Sequence, residues 1–334
     1  MSSTDLTQAV ITPANASGLK CVRQLGPSQR PLGWGQTLGF DPLGTRLVSI
    51  DKLHTPYRLR WWKLEAASDV PACAVELALR PAGAFLASAD LLVAPGPPVG
   101  EAAPPWRPRL LALSTTDGAI CREEPLPSPV TGLGASRNGL LLVTTERDGA
   151  FLWDVEAWRR VRDLPWLEGD LTVREVAFSR DSRFAAAVVS HDALDHQCLY
   201  LWDLTTNAPP WHVPIELPFV WSVAFHPRRP LLVVGGSAED AIVVDVNERR
   251  VLKQFTEFRY ASNLDFNPGG ELLVESIDGR GFAVHDFETG KVLFSHSDNE
   301  DCQTSDAVFS PDGRFIAWAQ GDGTVGLWGV SAVP

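Results

Sequence analysis

The chain has 334 residues, 45% of them apolar and 21% charged, and a formal net charge of −12; that much apolar material excludes disorder over most of its length. The negative charge argues against general affinity for phosphate backbones or anionic bilayers, so neither nucleic acid nor membrane is expected as a partner. No apolar run approaches the roughly 18 to 20 residues of a membrane span, and the opening MSSTDLTQAVITPANASG lacks the basic and apolar regions of a secretory signal, so a soluble cytoplasmic protein is expected.

In chain order, residues 1–18 read as a flexible tail. Leu19 to Leu25 (LKCVRQL) alternates as a strand would. Seven segments then share one pattern, an alternating apolar strand, a turn rich in Pro, Asp and Gly, and a second strand. They read GQTLGFDPLGTRLVSI from Gly35, VELALRPAGAFLAS from Val75, VTGLGASRNGLLLVTT from Val130 and VREVAFSRDSRFAAAVV from Val173. The last three are VWSVAFHPRRPLLVVGG from Val220, ASNLDFNPGGELLVESI from Ala261 and TSDAVFSPDGRFIAWAQ from Thr304. Aligned on the residue before the turn, they give Phe40, Leu79, Ala135, Phe178, Phe225, Phe266 and Phe309, at intervals of 39, 56, 43, 47, 41 and 43 residues. A period of roughly 40 to 45 residues is what a four-stranded propeller blade needs.

Most units carry a second hairpin signal: ERDGAFLWDV at Glu146, SAEDAIVVDV at Ser237, SIDGRGFAVHDF at Ser276 and QGDGTVGLWGV at Gln320. Asp-Gly between alternating apolar runs is a hairpin cue, because the turn needs positive φ. After it come Trp153-Asp154, Trp202-Asp203 and Trp328-Gly329, with Trp62-Lys63 a fainter counterpart. By these dipeptides and this period the chain resembles the WD-repeat family from about Gly35 to Val330. The family's Gly-His dipeptide is absent from every unit, so its Asp–His–Ser/Thr–Trp hydrogen-bond network cannot be assembled whole in any blade. The resemblance is therefore to a divergent member, and 24 arginines against five lysines lean toward a GC-rich, bacterial genome.

The resemblance and the period together predict an all-β fold, a seven-bladed propeller of four-stranded antiparallel blades spanning 19–334. Strands such as LLVVGG and FIAWAQ are apolar on both faces and belong in the middle of a blade, sandwiched between neighbours. Trp153, Trp202, Trp318 and Trp328 are the expected large members of the core between blades. The last unit supplies only three strands, so Leu19 to Leu25 is expected as its fourth, outer strand. The long interval contains APGPPVGEAAPPWRPR, residues 94–109, expected as a Pro-rich loop inserted in blade 2 that presents Trp106.

Chemistry is harder to find. No P-loop, Rossmann fingerprint, GxSxG elbow or HExxH is present. SHDALDHQC, residues 190–198, groups His191, Asp192, Asp195, His196 and Cys198, but their spacing matches no established ligand set. The five cysteines are far apart and include no CxxC pair. No catalytic, cofactor or metal residue is therefore assigned. A propeller hydrolase or lyase using channel carboxylates is the alternative, since such residues come from different blades and leave no local motif.

In the family, partners dock where the inner strands begin. Carrying that geometry over selects the residue four before each anchor, Arg174 and Trp221 among them, and residues two places earlier, including Trp34, Cys73, Phe219 and Tyr260. Trp34, Arg174, Phe219, Trp221 and Tyr260, with Trp106, are the candidate contacts of a protein or peptide partner, because aromatic residues and Arg are enriched at interface centres. The competing expectation is that these aromatics fold inward between blades.

Overall fold

The residue after an inner strand sets the first hairpin of its blade. Asp41, Ser136, Ser179, His226, Asn267 and Ser310 each offer a side-chain acceptor to backbone N–H groups a few positions on, from 2.7 Å for Arg46 to Asp41 Oδ1 to 3.0 Å for Leu272 to Asn267 Oδ1. Local acceptors of this kind favour a turn over a continued strand.

The computed structural model describes residues 8–26, 37–51, 56–78, 81–88, 90–97, 107–136, 138–147, 149–165, 171–191, 196–215, 220–236, 240–256, 258, 261–277, 281–297, 306–320 and 322–332. Their strands form seven antiparallel blades in a ring, each with an inner strand at the central channel and an outer strand at the rim. Blade 1 is Leu38–Phe40, Arg46–Asp51, Tyr57–Lys63 and Cys73–Leu77; blade 2 is Phe85–Leu86, Leu91–Gly96, Arg109–Ser114 and Ile120–Pro125. Blade 3 is Val130–Ala135, Leu140–Thr145, Gly149–Asp154 and Arg159–Leu164; blade 4 is Leu171–Phe178, Phe184–His191, His196–Asp203 and Trp211–Ile215. Blade 5 is Val220–Phe225, Leu231–Gly236, Ala241–Asp245 and Arg250–Phe255; blade 6 is Ala261–Phe266, Leu272–Ile277, Gly281–Asp286 and Val292–Ser297. Blade 7 takes Ala307–Phe309, Phe315–Ala319 and Val325–Ser331, with Lys20–Leu25 as its outer strand. No helix among the described residues is long and apolar enough to cross a membrane.

The second unit is displaced from its expected position. Cys73–Leu77 is the outer strand of blade 1, with Val75 opposite Leu59. The inner strand of blade 2 is Phe85–Leu86, so Leu86 takes the place expected for Leu79, which lies outside the described residues, and the spacings on either side become 46 and 49. The cause is Ala87. It occupies the position that carries an acceptor in the other blades and offers none itself, so the turn is held by Ala87 N–H to Leu91 O at 2.8 Å and by Asp90 N–H to Ser88 Oγ at 3.2 Å. Pro81-Ala82-Gly83 has the composition of a turn but precedes the strand. The insertion is shorter than expected as well: Ala94, Pro95 and Gly96 pair with Leu111, Leu110 and Arg109 in the blade.

The core lies between blades. Leu232 and Val234 pack with Val188 and Leu199 of blade 4, while Leu231 and Val233 pack with Leu264 and Leu273 of blade 6. One strand thus joins both neighbours through its period of two. Trp153, Trp202, Trp318 and Trp328 are all buried, as are Trp61 and Trp62, and full burial of a large apolar side chain is worth about 1.5–3 kcal/mol. Between blades 3 and 4 the backbones close in: a Cβ on Gly134 would stand 2.8 Å from Val176 Cγ2 and 3.1 Å from Val176 O.

Closure is by the expected strand, with Lys20 opposite Gly329 and Leu25 opposite Val325. The expectation of a loose tail through residue 18 is corrected from Gln8 onward. Gln8 and Ala9 pair with Ser331 and Val330, Ile11 N–H donates to Gly313 O at 2.9 Å, and a 3-10 turn follows at Ala16–Gly18. Apolar side chains explain the order: Ile11 and Ala16, both fully buried, join Phe282, Trp318 and Trp328 in the seam between blades 6 and 7. Ile11→Ala is expected to destabilise the ring by about 2–4 kcal/mol, read as a lower midpoint in urea. An unchanged midpoint would show that the segment contributes nothing to closure.

Candidate partner-binding face

The inner strands of blades 3 to 6 begin with a break in their ladder. Register shifts between Val130 and Gly132, Val173 and Glu175, Val220 and Ser222, and Ala261 and Asn263. Thr131, Arg174, Trp221 and Ser262 are thus the extra residues of four β-bulges, a device that re-aims a side chain at the end of a ladder. Arg174 is exposed and Trp221 half-buried, while Ser262 is buried. Arg174 and Trp221 hold the same register position on the inner strands of adjacent blades. Trp34, Trp106, Phe219 and Tyr260 lie outside the described residues. Cys73 and Val75, aligned with the inner strands from sequence, sit instead on the outer edge of blade 1.

Beneath the bulges the inner strands are linked by side chains, each reaching a backbone N–H of the next blade. Glu175 Oε2 accepts from Val223 N–H at 3.3 Å and Ser222 Oγ from Leu264 N–H at 2.8 Å. Asp265 Oδ2 accepts from Phe309 N–H at 2.7 Å. Asp306 Oδ2 accepts from Thr37 and Leu38 N–H at 2.5 and 2.7 Å, and its other oxygen takes the Asn263 amide. These contacts run from blade 4 through 5, 6 and 7 to blade 1. Glu175, Ser222, Asn263 and Asp306 are buried, and burial without such partners would be costly. The sequence signal was present, in polar residues within otherwise apolar strands, but their partners lie on other blades. A channel cavity of about 360 Å³ is lined by the inner strands, from Glu175 and Asn263 to Phe40, Phe178 and Phe225.

The histidines divide by environment. His285 replaces the blade's tryptophan: its Nε2 faces Glu275 Oε2 at 2.9 Å, its Nδ1 faces Gly290 O at 3.2 Å, and Phe258 stacks on it at 4.2 Å. His226 Nδ1 accepts the Arg228 and Arg229 amides at 3.0 and 2.9 Å. Burial first, then the Arg229 charge, pulls its pKa down to about 4, against the opposing pull of Gly270, Glu288 and Glu271. In the 190–198 hairpin His191 stands opposite His196 and Cys198 opposite Val189, burial raises the Cys198 thiol's pKa, and Asp192 and Asp195 lie outside the described residues. Among the described residues no three His, Cys, Asp or Glu side chains group as a metal site.

No protein-family model matches the chain. It is 32% identical over 114 residues to echinoderm microtubule-associated protein-like 1 of Rattus norvegicus, a stretch covering 34% of this chain and 14% of that protein. It is 24% identical over 221 residues to TBC1 domain family member 31 of Xenopus tropicalis, 62% of this chain and 20% of that one. With WD repeat-containing protein SL1-17 of Schistosoma mansoni it shares 27% over 206 residues, 60% of this chain and 64% of the relative. The aligned stretches thus span only a minor part of the first two relatives. A chain in the crystal structure of a mitotic checkpoint complex superposes over 99% of this chain and 95% of its own, with a TM-score of 0.71 at 14% identity. The architecture is that of a closed seven-bladed propeller. By its repeats and these relatives, the chain is similar to WD-repeat propellers, from which its sequence diverges.

Two outcomes test the geometry. Asp306→Ala leaves the buried Thr37 and Leu38 amides without their acceptor and is expected to lower stability by about 2–5 kcal/mol; Asp306→Asn, which keeps an oxygen there, should lower it less. Equal losses would show that the acceptor is not what matters. His226 is neutral more readily in the folded than in the unfolded chain, so its contribution is intact above its ordinary pKa near 6.5 and is lost as pH falls toward about 4. The full effect is on the order of 3 kcal/mol. His226→Asn keeps an acceptor without titrating and should flatten stability over that interval; an unaltered pH profile would refute the assignment.

Proposed function

We propose that the chain is a non-catalytic scaffold that binds a protein or peptide at the bulged end of its channel. The observation that carries this reading is the pair of bulges that turn Trp221 and Arg174 out of the ladders of adjacent blades. A Trp on a rigid strand end offers wide contact area at little entropic cost, and an exposed Arg beside it can pair with a carboxylate of the partner. Trp34, Phe219 and Tyr260 stand in the sequence just before the inner strands of blades 1, 5 and 6, and Trp106 between the second and third strands of blade 2, so they extend the proposed contact set. The checkpoint complex that contains the structural neighbour is itself a protein assembly, which accords with a binding role. The alternative, hydrolysis or elimination by channel carboxylates, is disfavoured because Glu175, Asp265 and Asp306 each accept a backbone amide of the next blade.

With a partner captured from cell extract by the intact chain, Trp221→Ala is expected to weaken binding about thirtyfold or more, with the melting temperature within a few degrees of the parent. Unfolding by the substitution would make Trp221 a core residue. Undiminished binding by a stable variant would move the contact surface elsewhere, first to the segment around Trp106.

A further inference from the structure

The opposite end of the channel brings together two short arginine stretches that the sequence keeps 45 residues apart, Arg180–Arg183 and Arg228–Arg229. Both lie in turns that follow inner strands, on blades 4 and 5, and they line one groove of about 270 Å³ with Phe184 and Phe225. Charge accounting separates the four. Arg183 pairs with Asp203 at 2.9 Å and Arg229 with Glu288 at 2.7 Å. The Arg180 guanidinium instead donates to a neutral carbonyl, Pro268 O of blade 6, at 3.0 Å, and among the described residues no carboxylate forms an ion pair with it. Arg228 is exposed, and among the described residues no carboxylate pairs with its side chain. The groove's acid, Asp181, already accepts Ser179 Oγ–H at 2.6 Å and Arg183 N–H at 3.1 Å. On a chain of net charge −12, the groove's own lining carries four arginines against one acid.

We propose that this groove binds an acidic peptide segment carrying two adjacent carboxylates, one for Arg180 and one for Arg228. Arginine's planar fork suits a carboxylate, and both arginines stand on hydrogen-bonded turns, so little order is lost on binding. A phosphate group fits less well. Phosphate sites draw on backbone N–H groups, and here the amides of Arg183, Phe184, Arg228 and Arg229 are taken by Asp181, Ser179 and His226. The site is independent of the bulged face, at the other end of the same strands.

The test titrates the full chain against a fluorescent peptide bearing a Glu-Glu pair, its Gln-Gln counterpart and a phosphoserine version, read by anisotropy. The Glu-Glu peptide is expected to bind roughly tenfold or more tightly than the Gln-Gln one, and to weaken with salt. Arg180→Ala with Arg228→Ala should abolish that preference. Arg228→Gln alone, at an exposed position, should reduce it even if the double variant folds poorly. Arg159→Ala, on the outer strand of blade 3, and Trp221→Ala should both leave it intact. The proposal is overturned if the carboxamide and carboxylate peptides bind alike, if Arg228→Gln binds as the parent does, if phosphoserine is preferred, or if a Trp221→Ala variant that keeps the parent's melting temperature loses binding.

Discussion

Among the described residues, neighbouring blades of this ring share no ladder, so the inner strands leave backbone amides facing the preceding blade with no strand to receive them. Side chains receive them instead. Glu175, Ser222, Asp265 and Asp306 each cap an amide one blade on, and Asp306 does so across the seam where blade 7 meets blade 1. Elsewhere the strands approach until nothing larger than hydrogen fits, as at Gly134 against Val176. Both solutions meet one requirement, that buried polar backbone must be paired or closely covered. They also fix the distance between blades, on which the apolar packing further out depends.

A ring held this way separates its middle from its ends. The middle is committed: its carboxylates hold amides, and its apolar strands are covered on both faces. The ends are where side chains are released from that duty. At one end the bulges free Arg174 and Trp221 from the ladder, and at the other the turns carry arginines whose own amides are already satisfied. Such ends can change without unsettling the ring, which is why binding residues tend to sit on loops and strand ends above a rigid scaffold.

The blades were legible in the sequence where a turn begins with a side-chain acceptor, as at Asp41, Ser179 or Ser310, because the residue that makes the turn also marks it. Blade 2 was misread because Ala87 makes the same turn without a marker. The strand at Lys20–Leu25 could be placed by counting what blade 7 lacked, whereas Ile11 gave no periodic signal and is recognisable only by the seam it fills. The bulges were illegible for a different reason. A single residue inserted in a ladder changes no composition and shows only when the partner strand is aligned beside it. The arginine groove likewise has no sequence signature, since each turn alone is too short to make a patch.

The shared seventh blade has a consequence in time. Lys20 pairs with Gly329, so at a synthesis rate of about 5–20 residues per second the outer strand exists for roughly 15 to 60 seconds before its partner has been made. For that interval its backbone edge is open to any other chain, and contacts so distant in sequence also form slowly. The strand reads KCVRQL, with Lys20, Arg23 and Gln24 among its six residues. Charged and polar side chains on an edge discourage premature pairing. In the finished ring Arg23 is redirected to Asp69 at 2.7 Å and to the carbonyl of Leu64 at 2.7 Å, both in blade 1. The charge that shields the waiting strand becomes the bond that fastens it to the next blade.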